Sequence, residues 1–229
     1  MPHTLVTGGA RGIGAATRVL LLARGEDVSI TAAASPGAIL TPDVRGVDWD
    51  AVVDEAEAAH GPLTGLVANA GITGGLGTFV DSDPAVVRHV FDVNVHATLE
   101  LAQVVVRRWI ARGTAGVIVT VSSVAADTGA PGEYIGYAAS KAAIEAATRG
   151  LGRELGPHGI RVVCVSPGTT QTEIHARGGD ADRPARVAPR VPLGRVAEPS
   201  EIAEAIVWAL SPAASYVTGT TLHVAGGLA

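Results

Sequence analysis

The 229-residue sequence holds one cysteine, Cys164, and one lysine, Lys141; the other sixteen basic residues are arginines. A lone cysteine forms neither an internal disulfide nor a thiolate metal cluster, so a disulfide scaffold and a zinc module are both excluded. Aromatic residues make up only 3% of the chain, so a core must be built from Ala, Val, Leu and Ile. No run of 18 uninterrupted apolar residues occurs, so no membrane-spanning helix is expected. Positive charge is not in excess either: 17 basic against 22 acidic residues leave a net charge of −5. That balance argues against nucleic acid or an anionic membrane as the main partner, because both select clustered positive charge. Strand-like sequence begins at His3 and leaves no room for a signal or transit peptide, so a soluble, cytoplasmic protein is expected.

What is present is apolar and periodic. Hydrophobic residues make up 47% and charged residues 17%, enough to bury a sizeable core, and the length suits one domain spanning 1–229. Short β-branched runs at 3–7, 27–31, 44–47, 64–68, 116–122, 160–165 and 220–224 read as strands buried on both faces. Helix-period segments lie between them at 13–23, 50–60, 84–112, 134–155 and 200–210. Strand–helix alternation of this kind predicts an α/β protein: a doubly wound parallel sheet of about seven strands with helices on both faces. Two stretches break the rhythm. Residues 32–45 are too short and too rich in Pro and Gly for a full crossover helix, and 169–198 is a long irregular segment, read as a substrate lid.

The first strand runs into Thr7-Gly8-Gly9-Ala10-Arg11-Gly12-Ile13-Gly14 and then a helix. Glycines permit a tight turn and close approach of backbone to a pyrophosphate, and free N–H groups at the helix start favour its charge. Farther along, Tyr137 and Lys141 stand four apart near the start of a helix, and so share one face. A phenol is a poor acid–base catalyst at neutral pH unless a cation stabilises its phenolate. The alternative is an amphipathic helix with a chance Tyr and a solvated Lys. The one position that departs from an all-arginine pattern argues against that, since a guanidinium fork does not replace a compact ammonium. Ser122-Ser123 closes the preceding strand, Asn69-Ala70-Gly71 ends the fourth, and Asn94 lies in a long helical segment. Taken singly, such Ser and Asn residues are more often caps or turns.

In order and spacing, residues 7–14, Asn69-Ala70-Gly71, Asn94, Ser123, Tyr137/Lys141, Pro167-Gly168 through Thr172, and Gly226-Gly227 resemble the short-chain dehydrogenase/reductase family over nearly the whole chain. Among its members the chain is most similar to 3-oxoacyl-carrier-protein reductases and sugar or alcohol dehydrogenases. The resemblance implies a single Rossmann domain and hydride transfer between a nicotinamide dinucleotide and a ketone or secondary alcohol. It implies Tyr137 as general acid or base and Ser123 as the group that polarises the substrate oxygen. Lys141 would lower the Tyr137 pKa and hold the ribose, and Asn94 would hold a relay water. Gly8, Arg11, Gly12, Ile13, Gly14, Asn69, Ala70, Gly71, Pro167, Gly168, Thr170 and Thr172 would line the dinucleotide. No metal is implied.

For the choice of dinucleotide, the second strand ends Ala32-Ala33-Ala34-Ser35, without the carboxylate that binds both ribose hydroxyls in NAD-selective relatives. Arg11 matches a position that is often basic in NADP-binding relatives, and Ser35 offers a hydroxyl, so NADP(H) is expected over NAD(H). Asp48 either approaches the adenine amino group or caps the next helix. Ser123 and Tyr137 are 14 apart, one more than in many relatives, so a bulge is expected before Tyr137. Tyr134 has no Lys four residues on and is read as lining the substrate mouth. The arginines at 177, 183, 186 and 190 suit an anionic substrate, but Asp180 and Asp182 dilute them, which favours a solvated loop. His89, His96 and His175 are read as structural, Cys164 as a core residue, and Trp109 and Trp208 as core or interface. The family resemblance implies a homotetramer, or a homodimer. Two other functions stay open: an NAD-dependent dehydrogenase of a sugar or hydroxy acid, and a non-catalytic dinucleotide sensor.

Overall fold

The computed structural model describes residues 1–41 and 43–228. Seven strands, β1 (His3–Thr7), β2 (Asp27–Ala32), β3 (Ile39–Leu40), β4 (Gly65–Ala68), β5 (Val117–Val121), β6 (Arg161–Pro167) and β7 (Thr220–Val224), form one sheet in the order β3-β2-β1-β4-β5-β6-β7. Every neighbouring pair is parallel. Because successive side chains point to opposite faces, the apolar runs of the central strands feed two cores. Leu5, Leu66, Ile118 and Val162 pack on one face with Trp49, Val53, Leu101 and Trp109. Val6, Val67, Val119 and Val163 pack on the other with Leu21, Ile202 and Ile206. The first face is covered by α2 (Trp49–His60) and α4 (Ala97–Arg112), with α6 (Ile135–Glu154) lying against β6 and β7. The second is covered by α1 (Gly12–Ala23) and α9 (Pro199–Leu210), which also pack on each other. Trp109 is fully buried and donates to the Leu63 carbonyl at 2.6 Å; Trp208 remains 38% exposed.

Two expectations fail here. The third strand is Ile39–Leu40, not 44–47. There the chain turns instead: the Arg45 N–H and guanidinium both bind the Asp43 carboxylate, and Gly46 takes φ +75°. The single long helix expected over 84–112 is broken into α3 (Pro84–Phe91), a π turn (Asp92–His96) and α4. A π turn inserts one extra residue into the helical ladder. The residue it carries inward is Asn94, which is 1% exposed. The bulge expected before Tyr137 takes the form of a short helix α5 (Ala125–Thr128), followed by Ala130 at φ +45°. Segment 169–198 is not featureless, since it forms α7 (Ile174–Arg177) and α8 (Arg183–Val187).

The far end of α9 is held from below. Arg161, at the start of β6, donates from Nη1 to the carbonyls of Ala209 and Val217 at 2.9 and 3.2 Å, and from Nη2 to those of Leu210 and Ser211 at 3.3 and 3.2 Å. A cation at a helix C-terminus satisfies orphan carbonyls and opposes the negative end of the helix dipole. Replacement by Met strands four carbonyls around a half-buried site. Arg161→Met is therefore expected to cost about 2–4 kcal/mol, read as a fall in Tm of roughly 5–15 °C.

Candidate active site

Leaving β1, the chain moves outward through β2 and β3, then crosses back to β4 on the other side of β1. In an open parallel sheet this reversal opens a crevice beyond the carboxyl ends of the strands. A groove of about 1400 Å³ occupies that edge, larger than the few hundred to about 1000 Å³ usual for a drug-sized ligand. One end is walled by residues 31–35 with Thr41, Asp43, Val44 and Arg45, the middle by residues 8, 10–13 and 69–75, and the other end by Ser123, Tyr134, Tyr137, Lys141 and parts of segment 167–190.

The middle of the groove is braced across the switch point. Thr7 Oγ1 accepts from the backbone N–H groups of Asn69 and Ala70, both at 3.0 Å, and Asn69 Nδ2 donates to the Thr7 carbonyl at 2.9 Å. The turn between them is tight enough to need glycine. Gly12 takes φ +53°, and a Cβ on Gly14 would overlap the Gly8 carbonyl. Gly14 thus serves helix–turn packing and lies outside the groove wall, while Gly8, Arg11, Gly12, Ile13, Asn69, Ala70 and Gly71 line it. These features suit an extended diphosphate-bearing ligand: open backbone, a helix N-terminus and no Cβ in the way.

At the other end, Lys141 is 4% exposed, and its Nζ donates to the Val121 carbonyl at 2.8 Å and stands 5.7 Å from the Tyr137 ring centroid. Burial pulls the Lys141 pKa down from 10.5 to about 8. Tyr137 moves the other way: burial pushes its phenol above the usual value, against the opposing pull of the Ser123 hydroxyl and, more weakly, the Arg183 cation. The expectation that Lys141 lowers the Tyr137 pKa is not met, because the ammonium is turned onto a backbone carbonyl and desolvation dominates both groups. Ser123 lines the groove and accepts from the Ala125 N–H at 3.1 Å.

Asn94 and Asp48 fall outside the groove wall. The Asn94 amide donates to the Ile72 carbonyl and to Ser140 Oγ and accepts from the Ile72 N–H, each at 2.9 Å. Its side chain is a clamp between the loop that follows β4 and α6. Asp48 caps α2 by accepting from the Ala51 N–H at 3.1 Å, which is the capping alternative. Pro167, Gly168, Thr170, Thr172 and Ser35 all line the groove. The sequence reading missed Asp43 and Arg45 at one end and Glu133 at the other, and it read Arg183 and Arg190, which also line the groove, as part of a solvated loop. The pairing of Asp43 with Arg45 two residues later was the available signal for the first two. Tyr134 lines the groove but is 5% exposed, and its hydroxyl has no partner among the described residues. His175 is buried, with Nε2 at 3.1 Å from the Thr170 carbonyl.

A family model described as enoyl-(acyl carrier protein) reductase matches residues 8–229. The chain is 40% identical to an uncharacterized oxidoreductase, YgfF, of Escherichia coli (strain K12), over 99% of this chain and 100% of that one. It is 36% identical to the D-erythrulose reductase of Gallus gallus, over 98% and 94% of the two chains. Among solved structures it is similar to the 3-ketoacyl-(acyl-carrier-protein) reductase of Brucella melitensis complexed with NADH, at 27% identity, a TM-score of 0.91 and coverage of 99% and 97%.

The depressed Lys141 pKa has a thermodynamic signature. Between about pH 8, where the folded chain releases this proton, and pH 10.5, where the unfolded chain does, the unfolded state binds more protons, so this group makes stability rise with pH. In Lys141→Met that contribution is gone. Wild type is expected to gain about 3 kcal/mol on the variant between pH 8 and 10.5, measured by urea unfolding; a constant difference overturns the assignment.

Proposed function

The chain belongs to the short-chain dehydrogenase/reductase family, and from that premise we propose that it is an NADP(H)-dependent reductase of ketones, or dehydrogenase of secondary alcohols, with Tyr137 as the general acid or base. The observation that carries the reading is the meeting of Tyr137, Lys141 and Ser123 at the end of a groove that begins at the glycine-rich turn. When bound, the dinucleotide supplies or removes the hydride at the substrate carbon. Everything else falls to the protein. Ser123 accepts from the Ala125 N–H and turns its own hydrogen to the substrate oxygen. Tyr137 gives that oxygen its proton in reduction and withdraws it in oxidation. Lys141, the nearest ammonium, stabilises the phenolate once its own proton is retained, and it donates to ribose hydroxyls. Asn94 ties α6, which carries Tyr137 and Lys141, to the loop that follows β4. Gly8, Gly12 and Ile13 would hold the diphosphate, Asn69 to Gly71 the adenosine side, and Pro167, Gly168, Thr170 and Thr172 the nicotinamide side.

The preference for NADP(H) is supported by charge at the other end. Asp43 is a carboxylate in the groove wall, but the Arg45 guanidinium binds it through both oxygens and holds its pKa down at about 2. Arg11 is more open, with only a 3.9 Å pair to Glu173, and is available to a 2′-phosphate beside Ser35. A homotetramer accords with the half-exposed edge strand β7 and the exposed Trp208 and Tyr216.

In Tyr137→Phe, kcat is expected to fall by about 10²–10⁴-fold while NADPH, followed by nicotinamide fluorescence, still binds; near-wild-type turnover removes the acid–base role. NADPH is expected to bind more tightly than NADH, and Arg11→Ala to narrow that difference by about tenfold. Tighter binding of NADH by the wild type overturns the cofactor choice. Binding without turnover across a broad ketone panel favours the sensor reading instead.

A further inference from the structure

Among the arginines of segment 169–198, Arg183 stands apart in being largely enclosed. Its side chain is 19% exposed, against 54% for Arg186 and 56% for Arg177. From the first turn of α8 it reaches into the groove wall beside Tyr134 and Tyr137. Its Nε and Nη2 donate to Glu133 Oε2 at 3.1 and 2.8 Å, and its Nη1 donates to Thr169 Oγ1 at 3.2 Å. The guanidinium carbon sits 5.8 Å over the Tyr134 ring, whose edge meets the Tyr137 ring at 6.4 Å between centroids. A guanidinium carries five N–H groups. Three are committed, so one hydrogen on each Nη has no protein acceptor among the described residues. Enclosed donors of a charged group are expensive to leave unmade, and these two belong to a group that lines the end of the groove where Tyr137 lies.

The surrounding charge decides what kind of oxygen they suit. Glu133 pairs with Arg183 and, at 3.5 Å, with Arg186, which also pairs with Asp180 at 2.5 Å. Two cations are balanced by two carboxylates. With its charge already neutralised in this way, Arg183 offers a substrate carboxylate little net attraction. A hydroxyl or carbonyl oxygen needs no net charge and still accepts both hydrogens.

We propose that Arg183 is a specificity-determining residue that donates to an uncharged oxygen next to the reacting carbonyl, which makes α-hydroxy ketones, and the vicinal diols they become on reduction, the substrate class of this enzyme. The proposal rests on the ketone–alcohol reading above and adds the second oxygen to it. Arg183, Tyr134 and Tyr137 all line this end of the groove. No step is added to the reaction: the hydride still goes to the carbonyl carbon and the Tyr137 proton to its oxygen, while the neighbouring oxygen is held unchanged.

Three ketones of matched carbon skeleton test this: 2-butanone, 1-hydroxy-2-butanone and 2-oxobutanoate, each with NADPH consumption followed by absorbance. Wild-type kcat/KM is expected to be about 10–100-fold higher for 1-hydroxy-2-butanone than for 2-butanone, and Arg183→Met to collapse that ratio towards one. Glu133→Gln leaves the guanidinium but removes its balancing charge. It is expected to shift preference severalfold towards 2-oxobutanoate, which a merely structural role for Arg183 would not do. Equal wild-type efficiency on the first two ketones overturns the proposal. So does a proportional loss on both in Arg183→Met, which would make Arg183 only a tether for α8, and so does a wild-type preference for 2-oxobutanoate. Absence of NADPH consumption with every ketone tried is a different failure, that of the reductase reading itself, and it is seen in the wild type before any variant is made.

Discussion

A sheet of seven parallel strands buried on both faces leaves one place for a ligand, the edge where the carboxyl ends emerge. Everything functional in this protein depends on how that edge is held open at the crossing between β1 and β4. The brace is local and small: one threonine hydroxyl, Thr7 Oγ1, takes the first two N–H groups beyond β4, and one amide, Asn69 Nδ2, returns a bond to the end of β1. With these groups satisfied internally, the loops on either side need no further packing between them. The groove that results can be long and still be held across its middle.

The two ends of the groove differ in how they treat charge. Towards Asp43 and Arg45, ion pairs are exposed and contribute little to stability, so the wall there is a matter of shape and net charge. Towards Tyr137 and Lys141 burial moves proton affinities: the phenol binds its proton more tightly than usual and the ammonium less tightly. The gap between two groups that differ little in water is thereby inverted. The neighbours that favour the phenolate, the Ser123 hydroxyl and the Arg183 cation, therefore matter beside the lysine.

Much of this was readable in the sequence, and the failures have physical causes. Buried strands announce themselves through continuous β-branched runs, so β1, β2, β4, β5, β6 and β7 lie where the pattern puts them. The glycine-rich turn and the Tyr137/Lys141 spacing led to residues that do share the groove wall. The third strand was misplaced because Val44 and Val47 look apolar, whereas the Asp43–Arg45 pair and Gly46 bend the chain there. The π turn could not be seen because its cause is a side chain, Asn94, bonding to Ile72 and Ser140 far along the chain. The direction of the Tyr137 shift was missed for a related reason: spacing says which groups are neighbours but not how much water remains between them. Arg183 and Glu133 are 50 residues apart, and nothing local marks them as partners.

The two margins of the sheet are unequal. On one side β3 offers only two residues, Ile39 and Leu40, before the chain turns away. On the other β7 runs for five residues with its side chains half exposed. A sheet that presents ladder groups at both margins can recruit copies of itself without end, and natural proteins guard against this by shortening or covering an edge. Here one margin is blunted and the other is not. Pairing through sheet edges can therefore join β7 to β7 about a two-fold axis, a closed arrangement in which each copy uses up the other's only free edge. The two-residue third strand thus leaves that margin with few ladder groups on which a further copy could build.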